Sequence, residues 1–176
     1  MRMVLPQPLN TRPMRSARRA QRSERGQTLV EVGLMLPIFL LTLLAVIEFG
    51  WFTAVSAATS SASREAARYG STVGTTGGGT PHYIDCDGIR AAARETTESL
   101  IQLANGDIDI TYDDGAAAKA VPCVSAGSRP AEGDLVRWDR VVVEVTVEYS
   151  PLVPLLDPLI GTRPLVSVDR RSIGKP

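Results

Sequence analysis

The chain has 176 residues, of which 44% are hydrophobic and only 5% aromatic, enough for one modest domain and a smaller element. Its 19 basic and 19 acidic residues cancel in number, but residues 1–26 carry seven arginines against a single glutamate. The rest of the chain is therefore acidic and shows no basic patch. This distribution argues against an ordinary cytosolic globular protein and against a nucleic-acid-binding protein.

A long apolar stretch follows the basic head. Residues 32–47 contain no charge, and Leu29–Ala54 has the length that a membrane-spanning helix needs, about 20 residues, if Glu31 and Glu48 are tolerated near its ends. The arginines all precede the stretch, and the next basic residue is Arg64. Because basic residues stay on the cytoplasmic side, the sequence predicts one span with a cytoplasmic N-terminus and an extracytoplasmic body.

Three interpretations compete for this stretch. A cleavable secretory signal could be cut near residues 55–57, Val-Ser-Ala, although its apolar core would be unusually long and would contain Glu48. A plain signal anchor is the second interpretation. Neither interpretation explains the acids, and a carboxylate within a membrane helix costs about 2.5–3.5 kcal/mol at its centre, so it usually has a partner.

The third interpretation gives the first acid a partner. A cut after Gly26 would create a new α-amino group on Gln27 and place Glu31 at the fifth position of the shortened chain. In a staggered bundle of parallel helices, the acid of one chain can then meet the amine of the next, which neutralises both charges and sets the register. Glu48 is a second acid of this kind, also a candidate for assembly or register, and its partner cannot be named from the sequence. Burial in a subunit interface and a simple position near the outer headgroups are both open for it.

These residues resemble the class III signal of type IV pilin-like proteins. Over residues 22–70 the chain is more closely similar to the TadE-like minor pseudopilins of tight-adherence (Flp) pilus systems, through Glu31, Leu34, Leu36 and Pro37, residues 47–50 and residues 64–70. The resemblance implies cleavage by a prepilin peptidase and assembly with other pilin or pseudopilin subunits. It also implies a single-pass protein of the inner membrane that contacts membrane lipid and the pilus assembly platform.

The predicted organisation has four parts. Residues 1–26 form a basic leader, 27–70 a transmembrane and stem helix, 71–83 a glycine-rich flexible hinge, and 84–176 an extracytoplasmic domain. A helix over Gln27–Tyr69 would be roughly 65 Å long. Pro37 removes one backbone donor within it and predicts a bend.

The sequence pattern of residues 84–176 predicts an α+β fold, with one helix and an antiparallel sheet in addition to the long N-terminal helix. Helical spacing runs from Ile89 to Ala104, with Asp87 as the expected cap and Asn105-Gly106 as the stop. Alternation of apolar and polar residues predicts three strands. They are Ile108–Tyr112, which ends in a turn at residues 113–115, Val141–Tyr149, and a last strand at about Leu165–Ile173.

The two cysteines, Cys86 and Cys123, enclose 36 residues. A disulfide between them is the favoured interpretation, because the body is predicted to lie outside the cytoplasm. Two free structural thiols remain an alternative. A metal site with His82, the single histidine, is the weakest of the three because ligands are too few.

Residues 150–164 combine four prolines with several large apolar residues. The prolines exclude a long helix or a central strand. One interpretation is a long loop folded over the sheet or the stem. The other is an exposed docking or membrane-facing surface that uses Leu152, Leu155, Leu156 and Leu159.

Catalytic motifs are missing from the sequence. The glycine run at 77–79 lacks the Gly-Lys-Ser/Thr of a phosphate-binding loop, and there is no zinc-protease or serine-hydrolase motif. The pairs Asp85/Asp87 and Asp113/Asp114 lack the calcium-loop pattern and are interpreted as acids of solvated turns. We therefore predict no enzymatic activity, no cofactor and no metal.

The sequence thus predicts a TadE-like minor pseudopilin, an assembly component of a tight-adherence pilus or related secretion machinery. The main alternative is a single-pass anchored extracytoplasmic binding domain that keeps residues 1–26 and does not assemble. A major pilin is a weaker third interpretation.

Overall fold

The computed structural model describes residues 15–124 and 128–175, without the side chains of residues 15–25, 155 and 159. The leader residues 1–14 predicted from the sequence lie outside this range. The chain divides into two units after Val46.

One helix, α1 (Arg15–Ser71), extends through both units. It is longer than the predicted Gln27–Tyr69 helix at its N-terminal end and stops one residue after Gly70, close to the predicted end. Pro37 lies inside α1 without ending it. The bend at this proline stays a prediction.

In the first unit, α1 is an apolar helix with an open surface. Large apolar side chains such as Leu29, Ile38 and Phe39 are 59–75% exposed. Within the described residues, α1 is the one helix that is long and apolar enough to cross a membrane, and its most apolar window has no buried residue. Nothing in the described chain covers this surface, which is consistent with the predicted membrane anchor.

The second unit confirms the α+β class. It contains a helix, α2 (Cys86–Thr97), and a four-stranded antiparallel sheet in the order β2-β1-β3-β4. A very short helix, α3 (Asp157–Ile160), precedes the last strand. The strands are β1 (Ile108–Asp113), β2 (Ala118–Lys119), β3 (Arg140–Tyr149) and β4 (Arg163–Ser172).

The sheet is organised around β3, whose predicted alternation is confirmed. Val141, Val143 and Val145 are fully buried and Val147 is 8% exposed, whereas Glu144 and Glu148 on the opposite face are exposed. Val142 departs from the alternation, because it lies on the face of the glutamates and is only 8% exposed. A one-residue shift in pairing would exchange these faces, so the burial of the valines fixes the register.

The stem part of α1 packs on this sheet through small side chains. Ala62, Ser63, Ala66 and Ala67 are at most 1% exposed, and the Ser63 and Ser167 hydroxyl oxygens are 2.9 Å apart in a hydrogen bond between helix and β4. Small residues let the helix backbone approach the strands closely. The predicted stem is therefore part of the domain core.

The N-terminus of α2 is held by Asp85, and not by Asp87 as the sequence predicted. The Asp85 carboxylate accepts a hydrogen bond from the Gly88 backbone N–H at 3.2 Å and another from the Tyr69 hydroxyl at 2.7 Å. A Cβ atom on Gly88 would lie 2.1 Å from Asp85 Oδ2 and 2.5 Å from Tyr69 Oη. The Tyr69 hydroxyl of the stem holds the Asp85 carboxylate in place, so Asp85, two residues before Asp87, caps the helix.

The end of α2 also differs from the prediction, because the helix stops at Thr97 rather than continuing to Ala104. The Thr97 hydroxyl donates back to the Arg94 carbonyl at 3.2 Å, and the Arg94 guanidinium donates to the Leu103 carbonyl at 3.1 Å. The Thr97 hydroxyl therefore satisfies a carbonyl of the last helical turn, and Arg94 ties the segment after the helix back to α2. Leu103 reaches the core from an extended segment.

The glycine-rich segment 71–83 contains a closed turn. Thr75 and Pro81 form an isolated antiparallel bridge, the Thr76 N–H donates to the Thr80 carbonyl at 2.8 Å, and the Gly79 N–H donates to the Thr76 carbonyl at 2.9 Å. Gly79 has a φ of 80°, which suits glycine. The flexibility predicted for this segment stays a prediction.

Candidate functional site

The predicted cleavage site lies on an open stretch of α1. Gly26 and Gln27 are both exposed, and a Cβ atom built on Gly26 would meet nothing within 4 Å. The packing of this chain therefore does not require glycine at position 26, in contrast to Gly88. A requirement for glycine at this position would have to come from another molecule, such as a peptidase.

Glu31 is exposed in the first unit. Within the described residues its carboxylate has no hydrogen bond or ion pair. It is also the one charged residue between Gly26 and Val46. Its carboxylate is thus available to a group outside the chain.

Glu48 has the opposite environment and is only 4% exposed. Its carboxylate accepts a hydrogen bond from the Tyr149 hydroxyl. It also accepts from the Leu152 N–H at 3.1 Å and from the Val153 N–H at 3.2 Å. The partner that the sequence could not name therefore belongs to the same chain, and no second subunit is needed to satisfy Glu48.

The prolines of the following loop explain how two adjacent N–H groups reach one carboxylate. Pro151 and Pro154 flank Leu152 and Val153 and keep the segment out of a regular helix or strand, which leaves the two backbone donors free for a side chain. Tyr149 completes the site from the end of β3. Burial and the hydrogen bond to Glu48 raise the pKa of the Tyr149 hydroxyl to about 12, so it stays a donor at neutral pH.

The loop 150–164 unites features of both predicted interpretations. It is attached to the stem through Glu48, and Ile160 packs against the core, as expected of a folded loop. Leu152 is nevertheless 55% exposed, and Leu156 is half-buried. The side chains of Leu155 and Leu159 lie outside the described residues, and the docking role of the loop stays a prediction.

The predicted disulfide between Cys86 and Cys123 is confirmed, with a Cα–Cα distance of 5.5 Å. It therefore replaces the alternatives of free thiols and of a metal site built on these cysteines. The nearby Arg90 is only 6% exposed, and its guanidinium donates to the Cys123 carbonyl at 2.5 Å and to the Val124 carbonyl at 2.9 Å. The sequence analysis missed this buried arginine, which ties α2 to the segment beyond the bridge.

The predicted turn acids take part in local structure. Asp114 accepts hydrogen bonds from the Ala116 and Ala117 N–H groups, each at 2.8 Å, and Asp113 accepts from the Arg140 guanidinium at 2.5 Å. Within residues 15–124 and 128–175, no group of three or more potential metal-ligating His, Cys, Asp or Glu side chains is found.

Comparison with known families matches the N-terminal helical segment. Residues 26–68 match the family model described as TadE-like protein, and the match begins at Gly26 and includes Glu31 and Glu48. This confirms the resemblance for the N-terminal segment. The match covers most of α1 beyond Gly26 and none of the sheet. Searches of curated proteins and of solved structures return no significant match.

Proposed function

We propose that this TadE-like chain is a minor pseudopilin, a non-enzymatic assembly component of a tight-adherence pilus or related secretion machinery. In this proposal a prepilin peptidase cuts between Gly26 and Gln27. The mature chain then joins other pilin or pseudopilin subunits at the assembly platform of the inner membrane.

The observation that carries the proposal is the pairing of the TadE-like match with an uncovered acid. The match begins at Gly26, and Glu31, five positions further on, is exposed on an apolar helix without a partner in the described chain. A carboxylate in lipid is costly and usually paired. The α-amino group freed on Gln27 of a neighbouring subunit would supply that pair.

Two features support an extracytoplasmic body. The arginines of residues 1–26 precede the apolar helix, which favours a cytoplasmic N-terminus. The Cys86–Cys123 disulfide fits an oxidising compartment. Together they favour insertion in the inner membrane with the sheet domain outside the cytoplasm.

The proposal is tested by mass spectrometry of the protein extracted from a host that contains the peptidase. We expect a mature N-terminus at Gln27, and we expect Gly26→Leu to abolish the cut. Gly33→Leu is a matched control, because a Cβ atom at either glycine would meet nothing within 4 Å. An intact N-terminus in the unmodified protein, or equal cleavage of all three proteins, would contradict the proposal.

One observation favours the alternative of an anchored binding domain that does not assemble. Glu48 is satisfied within its own chain, so only Glu31 is left as an acid that requires another subunit. The substitution Glu31→Val distinguishes the two proposed functions. A pseudopilin should co-purify with other pilin subunits and lose them when Glu31 is replaced. An anchored domain should behave in the same way with and without the substitution.

A further inference from the structure

We propose that the outer end of the membrane helix and the proline-rich loop form one surface that inserts into the headgroup and acyl boundary of the outer leaflet. This surface, the lipid-facing collar, consists of Phe49, Phe52 and Leu152. The proposal rests on the membrane anchoring proposed above. It assigns the exposed apolar part of the loop to lipid and not to another protein.

The first step is the attachment of the loop to the helix. Glu48 is the first charged residue after the uncharged residues 32–47, so it marks the outer end of the apolar run. Its carboxylate accepts the Leu152 and Val153 N–H groups at 3.1–3.2 Å. The loop is therefore held at the level where the helix would leave the hydrocarbon.

The second step is the character of the side chains at this level. Phe49 is 68% exposed, Phe52 is 40% exposed and Leu152 is 55% exposed. Phe49 and Phe52 lie within about one helical turn of Glu48. Tyr149 itself is only 3% exposed, but it contacts Phe52 edge-on with ring centroids 5.3 Å apart and so links Phe52 to the end of β3, where the loop begins. The apolar surface that lipid would cover is therefore that of Phe49, Phe52 and Leu152.

The third step concerns the charges near the loop. Arg163 is exposed, pairs with Tyr149 across β3 and β4, and donates to the Ile160 carbonyl at 3.0 Å. An arginine at this point favours anionic headgroups. The exposed Asp157 offsets that attraction, so burial of apolar surface, and not charge, would hold the loop at the membrane.

The collar can be tested with nitroxide labels on the full chain in vesicles of phosphatidylethanolamine and phosphatidylglycerol. Labels are placed at Leu152→Cys and, as a matched control, at Val136→Cys. The two side chains are 55% and 56% exposed. Val136 precedes β3 and Leu152 follows it, so the two labels lie beyond opposite ends of a strand that is about 30 Å long.

Collisions with molecular oxygen and with a water-soluble nickel chelate report whether each label lies in lipid. We expect oxygen to dominate at position 152 and nickel to dominate at position 136. The same result is expected for the uncut Gly26→Leu chain, so the collar does not depend on cleavage. Equal nickel accessibility at 152 and 136 would overturn the proposal.

A third label at Leu40→Cys distinguishes failure of the collar from failure of the anchor. If position 40 lies in lipid and position 152 lies in water, the collar is wrong and the anchor stands. If both lie in water, the anchoring proposal fails as well. A label at 152 that meets nickel in vesicles and loses contact with both reagents only after other pilin subunits are added would identify a protein partner, which also overturns the lipid proposal.

Discussion

The two stretches of α1 show how one continuous helix serves two surroundings. Between Gly26 and Val46 it carries large apolar side chains that the described chain leaves exposed. Between Ile47 and Ser71 its buried face begins with Glu48 and Val55 and then consists of small side chains, Thr59, Ala62, Ser63, Ala66 and Ala67. The comparison teaches that low charge alone does not identify a membrane segment. Side-chain size separates the stretch that suits lipid from the stretch that suits a tightly packed core.

The two acids sharpen the same comparison. Glu31 and Glu48 both interrupt an apolar helix, and the sequence assigned both to assembly. Glu31 has no partner in the described chain, whereas Glu48 accepts hydrogen bonds from Tyr149, Leu152 and Val153. An acid in an apolar helix indicates that a partner exists, but it does not tell whether the partner belongs to the same chain.

The largest expected effect comes from the disulfide, which lies entirely within the second unit. Cys86→Ala combined with Cys123→Ala should lower the free energy of unfolding of the sheet domain by about 4 kcal/mol, the chain-entropy value for a loop of this length. Pulse proteolysis in urea of the full chain in detergent micelles measures the change. An unchanged urea midpoint would show that the bridge adds little to the second unit.

The next effect compares the two acids directly. Glu48→Ala leaves the Tyr149 hydroxyl and the N–H groups of Leu152 and Val153 without their acceptor, and should cost about 2–3 kcal/mol of domain stability. Glu31→Ala should change the stability of the domain by less than about 0.5 kcal/mol. The same pulse-proteolysis measurement applies to both variants.

The opposite pattern is expected for assembly. Glu31→Ala should reduce co-purification with other pilin subunits while the domain stays folded. If instead Glu31→Ala destabilises the domain as much as Glu48→Ala, the two acids do not have the distinct roles inferred from their surroundings.

Much of the fold could be predicted because its strongest signals are local. The alternation from Val141 to Tyr149 predicted β3 to within one residue of its observed bounds, and the apolar run predicted the exposed part of α1. Signals of this kind depend on residues one to four places apart. They are readable without knowledge of the three-dimensional neighbours.

The parts that could not be predicted depend on distant contacts. The hydrogen bond between Glu48 and Tyr149 joins residues 101 positions apart, so no spacing rule indicates it. Asp85 was missed as the cap of α2 because its selection depends on Tyr69 of the stem. Arg90 was missed because its carbonyl partners lie 33 and 34 residues away.

The smallest expected effect is the pH dependence of the second unit, through Asp113. The hydrogen bond from Arg140 lowers the pKa of the Asp113 carboxyl, and the Gly115 N–H and Arg170 add to the effect. Because the pKa is lower in the folded state, the unfolded chain binds more protons as the pH falls. The stabilisation is therefore present above the ordinary pKa of about 3.9 and is lost as the pH falls through the lower folded value.

The free energy of unfolding should therefore decrease less between about pH 5 and pH 2 in Asp113→Asn than in the unmodified protein. The difference should be no more than about 1 kcal/mol, because the ion pair is partly exposed. Glu98→Gln is the control, since Glu98 is exposed and has no ion pair in the described chain. Urea midpoints measured across this pH range compare the three proteins. Equal acid sensitivity of all three would place the titrating group elsewhere in the domain. The helix between Gly26 and Val46 would not supply that titrating group. Its one charged residue is Glu31, which should leave the stability of the domain unaffected.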